Sequence, residues 1–297
     1  MPGPNKYFVI GLPEAGKTTF LAAFYHVVES GHVPGSLRLN KVEGDMKHLN
    51  RIRGAWIDVT EIGRTVAPEE VTLLLDGAET DTVEVHLPDL SGESFRTQWK
   101  DRRMAPQVAA FLRESQGGLL LLHPATIKEE TLIRDAQPIV DIVASAPPVQ
   151  GQLTPTDGNI IRPTTPTAKE PEEIKPYDLD DAPTQVKLVE LLQFVVAQCP
   201  HRPLKLSVII SAWDIVSTRG DLLPVDWIKE RLPLLWQFLR ANGETFKTSY
   251  YGVSAQGGPL SAAESLRKLK PVDRIAVVDG NGRHSHDITA PIRTIME

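Results

Sequence analysis

The chain has 297 residues, of which 41% are apolar and 24% charged, the composition of an ordinary folded protein. Its formal charge of −6 excludes a broad electrostatic footprint for nucleic acid or an anionic membrane. No apolar stretch approaches a membrane span and the opening MPGPNK lacks a signal-peptide layout. The single cysteine, Cys199, cannot close an intramolecular disulfide, so a cytoplasmic protein is expected.

In chain order, Tyr7 to Ile10 is a short apolar run that reads as a buried strand. It leads into Gly11 to Thr18, GLPEAGKT, which fits the phosphate-binding loop G-x-x-x-x-G-K-[ST] without mismatch. Glycines let backbone N–H groups crowd around phosphate oxygens, Lys17 supplies a cation for the β- and γ-phosphates, and Thr18 offers a hydroxyl to Mg²⁺. Lys17 to Val28 carries apolar residues at helical spacing, so the loop opens a helix whose N-terminus also favours anions. Gly11, Glu14, Ala15, Gly16, Lys17, Thr18 and Thr19 are therefore the candidate phosphate-binding residues.

Residues 36–66 are mixed and polar, with a helix expected around Met46 to Trp56. Val71 to Leu75 and Thr82 to Leu87 read as two strands joined by a hairpin-type turn at Asp76-Gly77. Pro106 to Ser115 reads as a helix, and Gly117-Gly118 leads into Leu119 to Leu122, a continuous apolar run suited to a central parallel strand. A short helical stretch, Thr126 to Ala136, follows Pro124. Residues 137–184 are dense in Pro, Thr, Asp and Glu, a composition that does not bury a core; a flexible insertion is expected, with a docking peptide as the alternative.

Val186 to Cys199 returns to helix and Leu204 to Ile210 is another apolar strand. Pro224 to Arg240 is helical in two pieces, because Pro233 must begin a new helix or kink the old one. Asn242-Gly243 stops it, and Lys247 to Val253 is a strand. Arg274 to Val278 and Arg283 to Thr289 flank Asp279-Gly280-Asn281-Gly282, a second hairpin signal, and Ile292 to Met296 is a last short helix. The alternation implies an α/β P-loop NTPase fold: a mostly parallel sheet flanked by helices, one antiparallel hairpin strand, and the Pro-rich insertion within a single domain.

Three further pieces sit at strand ends. The strand Thr82 to Leu87 and Pro88 lead to Asp89-Leu90-Ser91-Gly92, where Asp89 is placed to hold Mg²⁺ through water and Gly92 to offer its N–H to a γ-phosphate. Leu204 to Ile210 ends in Ser211-Ala212-Trp213-Asp214, and Lys247 to Val253 ends in Ser254-Ala255-Gln256. In this order the four pieces resemble the GTPases of the translation-factor and Ras-like class, whose later motifs are [NT]-K-x-D and S-A-x. The resemblance implies GTP/GDP and Mg²⁺ as ligands, Asp214 as the guanine-reading carboxylate, and Ser254 and Ala255 as the base-capping loop. It also implies a switch threonine bound to Mg²⁺ and γ-phosphate, Thr65 first and Thr60 second, with Arg64 beside it as either an arginine finger or a solvated surface residue. Two positions depart from the class. Ala212 stands where the lysine belongs, leaving Trp213 as either a flat surface for the base or a core residue. Glu93 stands where a water-orienting glutamine is usual, and its charge beside a γ-phosphate implies slow hydrolysis.

The long switch region, the second hairpin and the ending HDITAPIRTIME are similar to bacterial double-GTPase-like domains encoded beside effector proteins in conflict systems. That resemblance implies a nucleotide-controlled switch or adaptor in antiphage defence, with a protein effector or regulator as partner. Ala212 and Glu93 keep open an ATPase or small-molecule kinase of the P-loop class, and a non-hydrolysing nucleotide-binding scaffold is the third alternative. His284-Ser285-His286 lacks further ligands at metal spacing and reads as an exposed hairpin edge; His123 reads as a structural histidine and Cys199 as a buried thiol.

Overall fold

Apolar residues crowd β1 (Asn5–Gly11), which is buried on both faces and runs into α1 (Lys17–Ser30). The computed structural model describes residues 5–63, 71–76, 82–87, 98–128, 182–216 and 222–297. Arg64, Thr65, Asp89, Gly92, Glu93 and all of the Pro-rich stretch before Ala182 lie outside the described residues. The chain divides into two compact units, Met1–Ile127 with Ala182–Glu297, and Lys128–Asp181; the fold below is that of the first.

Gly31 in the left-handed conformation ends α1, its N–H donating to the Val27 carbonyl. Then come β2 (Arg38–Gly44) and α2 (Met46–Ile57), the latter opened by Asp45, whose carboxylate accepts from the Lys47 and His48 amides at 2.7 and 3.1 Å. β3 (Val71–Asp76), β4 (Thr82–Leu87), α3 (Pro106–Glu114) and β5 (Ser115–Leu122) follow, and a single 3₁₀ turn, Pro124–Thr126, closes β5. Beyond the second unit lie α4 (Thr184–Gln198), β6 (Leu204–Ser211) and the one-turn α5 (Trp213–Val216). Leu232 separates α6 (Pro224–Arg231) from α7 (Pro233–Ala241), because Pro233 has no N–H to continue the ladder and takes the first position of a new helix. β7 (Phe246–Ser254), α8 (Ala263–Leu266), β8 (Ala276–Val278), β9 (His284–Ser285) and α9 (Ala290–Met296) complete the order. Among the described residues no helix is long and apolar enough to cross a membrane.

The sheet order is β2-β3-β4-β1-β5-β6-β7-β8-β9. β4, β1, β5, β6 and β7 are mutually parallel, while β2 and β3 on one edge and β8 and β9 on the other pair antiparallel. The sheet is therefore mixed, not mostly parallel with one antiparallel hairpin strand as the sequence suggests. β2 has no apolar alternation to betray it: its residues RLNKVEG are mostly exposed, and it forms because the open edge of β3 offers unpaired backbone groups. The strand expected over Arg283 to Thr289 shortens to two residues, since Asp287 turns the chain by accepting from the Thr289 amide and hydroxyl at 2.9 and 2.6 Å.

Alternation along β1 divides the core. Tyr7 and Val9 join the cluster made with α1, α2 and α9. On the second helical layer α3 packs on β1 and α4, α4 on α7, and α6 on β7. β1 lies between β4 and β5, so the connections diverge on its two sides, and the carboxyl ends of five parallel strands share one rim.

His86 on β4 is buried, stacked on Phe111 with ring centroids 4.0 Å apart, and its Nδ1 lies 2.9 Å from the Thr72 hydroxyl. Burial pushes its imidazole from 6.5 down to about 4. The unfolded chain thus gains a proton at a pH where the folded protein does not, so stability is whole above pH 6.5 and is lost as pH falls towards 4. We expect about 3 kcal/mol of acid destabilisation from this group, and His86→Leu should flatten the denaturant-midpoint profile between those limits.

Candidate functional site

At the end of β1 the backbone turns through Glu14 at φ 64° and Gly16 at φ 84°. Gly16 is the residue before α1 and has no side chain to cap it, so the first amides of the helix point towards any anion placed there. A Cβ at Gly16 would lie 2.9 Å from the Ser211 hydroxyl, which leaves glycine as the residue for both the conformation and the space. Lys17 folds back over the loop, its Nζ donating to the Gly11 and Leu12 carbonyls at 2.8 and 2.9 Å.

The Ser211 hydroxyl, at the end of β6, sits 2.9 Å from the carbonyls of both Ala15 and Leu122 and shares its proton between them. It ties the phosphate loop to the ends of β5 and β6. Next to it Ala212 adopts φ 49°, a left-handed backbone that an alanine rarely takes. Trp213 is 3% exposed and its ring fills the space beside Gly252, where a Cβ would come within 2.3 Å. Trp213 is thus core, and not a surface for a ligand.

Asp214 opens α5. Its Oδ1 accepts from the Ser254 hydroxyl, and the same Ser254 oxygen accepts from the Gly257 amide at 3.2 Å, so the ends of β6 and β7 hold each other. Ala255 is held from α2: the Trp56 indole N–H donates to its carbonyl at 2.9 Å. Arg274, buried, lies with its guanidinium 4.7 Å from the Trp56 ring centroid and donates to the Trp56 and Ile57 carbonyls at 3.2 and 3.3 Å. These are the last carbonyls of α2, where a cation also meets the negative end of the helix dipole.

Around these parts lies a cleft of about 590 Å³, in the range of small-molecule sites. Gly16, Thr19 and Phe20 form its phosphate-loop side, Ser211, Ala212, Asp214 and Ile215 its β6 side, and Ala255, Gln256 and Leu260 its β7 side. Thr60, Glu61 and Ile62, just after α2, also reach it. Of the residues expected from the sequence, Gly16, Thr19, Asp214 and Ala255 meet in this one cleft. Gly11, Glu14, Ala15, Lys17 and Thr18 belong to the loop beside it, and Ser254 supports it from behind. Thr65, Asp89, Gly92 and Glu93 lie outside the described residues.

His123 lines the same cleft, where burial lowers its pKa against the pull of Asp214 and Glu14. Its Nδ1 accepts from the Ala125 amide at 3.2 Å, which assigns the proton of the neutral ring to Nε2. Cys199 donates to the Leu112 carbonyl and burial pushes its thiol up to about 11, so it is inert. Among the described residues no cluster of three or more His, Cys, Asp or Glu is placed to hold a metal ion. The Ser211 tie, Trp56 and Leu260 had no expected role; only Ser211 carried a signal, since it occupies the first place of the [NT]-K-x-D pattern.

The family model of Double-GTPase 1 matches residues 8–295. No curated protein matches the chain. Among solved structures, Roco2 RocCORdC of Methanosarcina barkeri bound to GDP is 10% identical at a TM-score of 0.32, over 90% of this chain and 49% of that one. This chain thus spans about half the length of that structure. The signal recognition particle receptor SRb-GTP/SRX complex of Chaetomium thermophilum is 13% identical at a TM-score of 0.39, over 90% of this chain and 98% of that one.

Ser211→Ala should lower folding stability by about 1 kcal/mol in chemical denaturation, because two carbonyls that are buried at the loop junction lose their shared donor. An unchanged midpoint would show that the hydroxyl does not hold the loop.

Proposed function

The chain belongs to the Double-GTPase 1 family, and we propose that it is a guanine-nucleotide switch that hydrolyses GTP slowly. The observation that carries this reading is the single cleft shared by the phosphate loop and by Asp214 and Ala255. A nucleotide needs anion donors at one end and a carboxylate with a backbone donor at the other, and these residue types stand at the two ends of that space. In the proposal the amides of residues 14–18 hold the phosphates, and Lys17 exchanges its bonds to the Gly11 and Leu12 carbonyls for phosphate oxygens. Asp214, aligned by Ser254, accepts from the guanine edge, and the Ala255 amide meets the guanine oxygen.

Thr18, in the first turn of α1, suits Mg²⁺, which takes few protein ligands and keeps water and phosphate oxygens for the rest. Bound there, the ion would neutralise charge on the β- and γ-phosphates. Asp89 would reach it through water and Thr65 through its hydroxyl, with Thr60, which lines the cleft, as the second choice. Water oriented by Glu93 attacks the γ-phosphorus, the bond to the β-phosphate bridging oxygen breaks, and GDP and phosphate leave. Gly92 and the switch threonine then lose their γ-phosphate contacts, which changes how a protein effector or regulator is held. The narrower resemblance to conflict-system domains supports a place for that switch in antiphage defence.

Calorimetry with GTP, GDP and ATP tests the reading. GTP and GDP should bind more tightly than ATP, Lys17→Ala should weaken GTP about 50-fold, and Asp214→Asn should weaken GDP about 20-fold with ATP unaffected. Tighter ATP binding, which the small Ala212 side chain leaves open, would replace the guanine reading by the ATPase or kinase alternative. Phosphate release by the purified chain should be slow; fast turnover that survives Glu93→Ala would remove the proposed role of that residue.

A further inference from the structure

Ala255 stands just beyond the end of its strand's pairing. The last β6–β7 pair is Ser211 with Val253 and the last β7–β8 pair is Ser254 with Ala276, so neither ladder extends to Ala255. Its carbonyl is met from another part of the fold: the indole N–H of Trp56, in the last turn of α2, donates to it at 2.9 Å. That donor is rigid. Trp56 is fully buried, its ring centroid lies 5.2 Å from that of His26 on α1, and the Arg274 guanidinium sits 4.7 Å from it on another side chain's account. The end of α2 is bound in return, because the Trp56 carbonyl accepts from Gln256 at 3.4 Å and from Arg274 at 3.2 Å. A buried indole needs an acceptor. Here the acceptor belongs to neither helix nor strand, but to a residue of the cleft wall.

We infer that Trp56 is a positioning residue for recognition of the base: acting through Ala255, it holds the loop in the orientation from which the Ala255 amide meets the guanine oxygen. The inference rests on the nucleotide reading above and adds the side chain that aims that amide. The physical reason lies in the backbone. The two planar peptide groups that flank Ala255 are joined through its soft dihedrals. The group before it is restrained at Ser254, by pairing with β8 and by the hydroxyl bond to Asp214. Trp56 restrains the group after it, so neither can swing without breaking a bond. A hydrogen bond to the guanine oxygen needs that direction, because it weakens steeply when the N–H points off line. The phosphate loop makes its contacts elsewhere, so aiming of the amide and grip on the phosphates are separable.

The test is binding of three probes to the full chain: guanosine diphosphate, 6-thioguanosine diphosphate, and inorganic tripolyphosphate with magnesium. In the second probe sulfur, a weak acceptor, replaces the oxygen that the Ala255 amide meets, while the N1–H and 2-amino group are left for Asp214. The third has phosphates and no base. Trp56→Phe removes the indole N–H, and replacement of Trp56 by 3-benzothienylalanine removes it while keeping the shape of the ring system. Both changes should weaken guanosine diphosphate about fivefold, the worth of one hydrogen bond. Affinities for the thio analogue and for tripolyphosphate should hold, so the preference for oxygen over sulfur shrinks by the same factor. A merely structural role would weaken all three probes alike, and that result overturns the inference. Unchanged guanosine diphosphate affinity in the benzothienyl variant also overturns it and leaves the nucleotide reading in place. Failure of the unsubstituted protein to bind guanosine diphosphate removes that reading, and the inference with it.

Discussion

One hydroxyl fixes the distance between the two ends of the candidate site. Ser211 Oγ stands 2.9 Å from carbonyls on the phosphate loop and on β5, while its own backbone ends β6. The loop therefore cannot drift from the segment that carries Asp214 three residues further on. Room for this contact exists only because Gly16 has no Cβ, and the same glycine supplies the left-handed turn that opens α1. A short polar side chain, a glycine and the carboxyl ends of three parallel strands thus form one constraint. Asp214 inherits its place from it, and Ser254 then fixes the direction of the carboxylate from β7.

A second set of contacts joins the β7 side of the cleft to the segment after α2. Trp56 reaches the Ala255 carbonyl with its indole N–H, and Gln256 returns a bond to the Trp56 carbonyl at 3.4 Å. Arg274 donates to that Trp56 carbonyl as well and to the Ile57 carbonyl, and Arg267 donates to the Asp58 carbonyl at 2.7 Å. Helix ends leave carbonyls without partners, and here two arginines from the C-terminal part of the chain supply donors. Thr60, Glu61 and Ile62 leave this anchored point and enter the cleft. The segment of residues 60–62 is consequently tethered to the loop that carries Ala255, so two walls of the cleft share one mechanical support.

The mixed sheet follows from how edges are managed. Five parallel strands place their carboxyl ends on one rim, and each flank is then closed by antiparallel strands. β3 and β4 were legible because β3 is an apolar run, β4 alternates and a turn signal separates them. β2 was not, since an edge strand with one dry side needs few apolar residues, and RLNKVEG is largely solvated. The short β9 was overestimated because the hairpin signal Asp279-Gly280-Asn281-Gly282 implies a partner strand without limiting its length, and the carboxylate of Asp287 finds the Thr289 amide and ends the strand.

What the sequence alone determined was everything that depends on local chemistry: the phosphate loop, whose glycines and lysine act within a few residues of one another, the break at Pro233, the central apolar strands, and the acidic and small residues at strand ends. These signals are short-range, so they survive without coordinates. Only the tertiary structure decided which distant residues meet. It turned Trp213 into the core because Gly252 leaves a gap for it, gave Ser211 its two carbonyls, brought Trp56 to Ala255 across the fold, and set Ile215 and Leu260 on the wall of one cleft. Those outcomes depend on the packing of side chains far apart in the chain, where a residue's neighbours, and not its own type, settle whether it faces solvent, core or ligand.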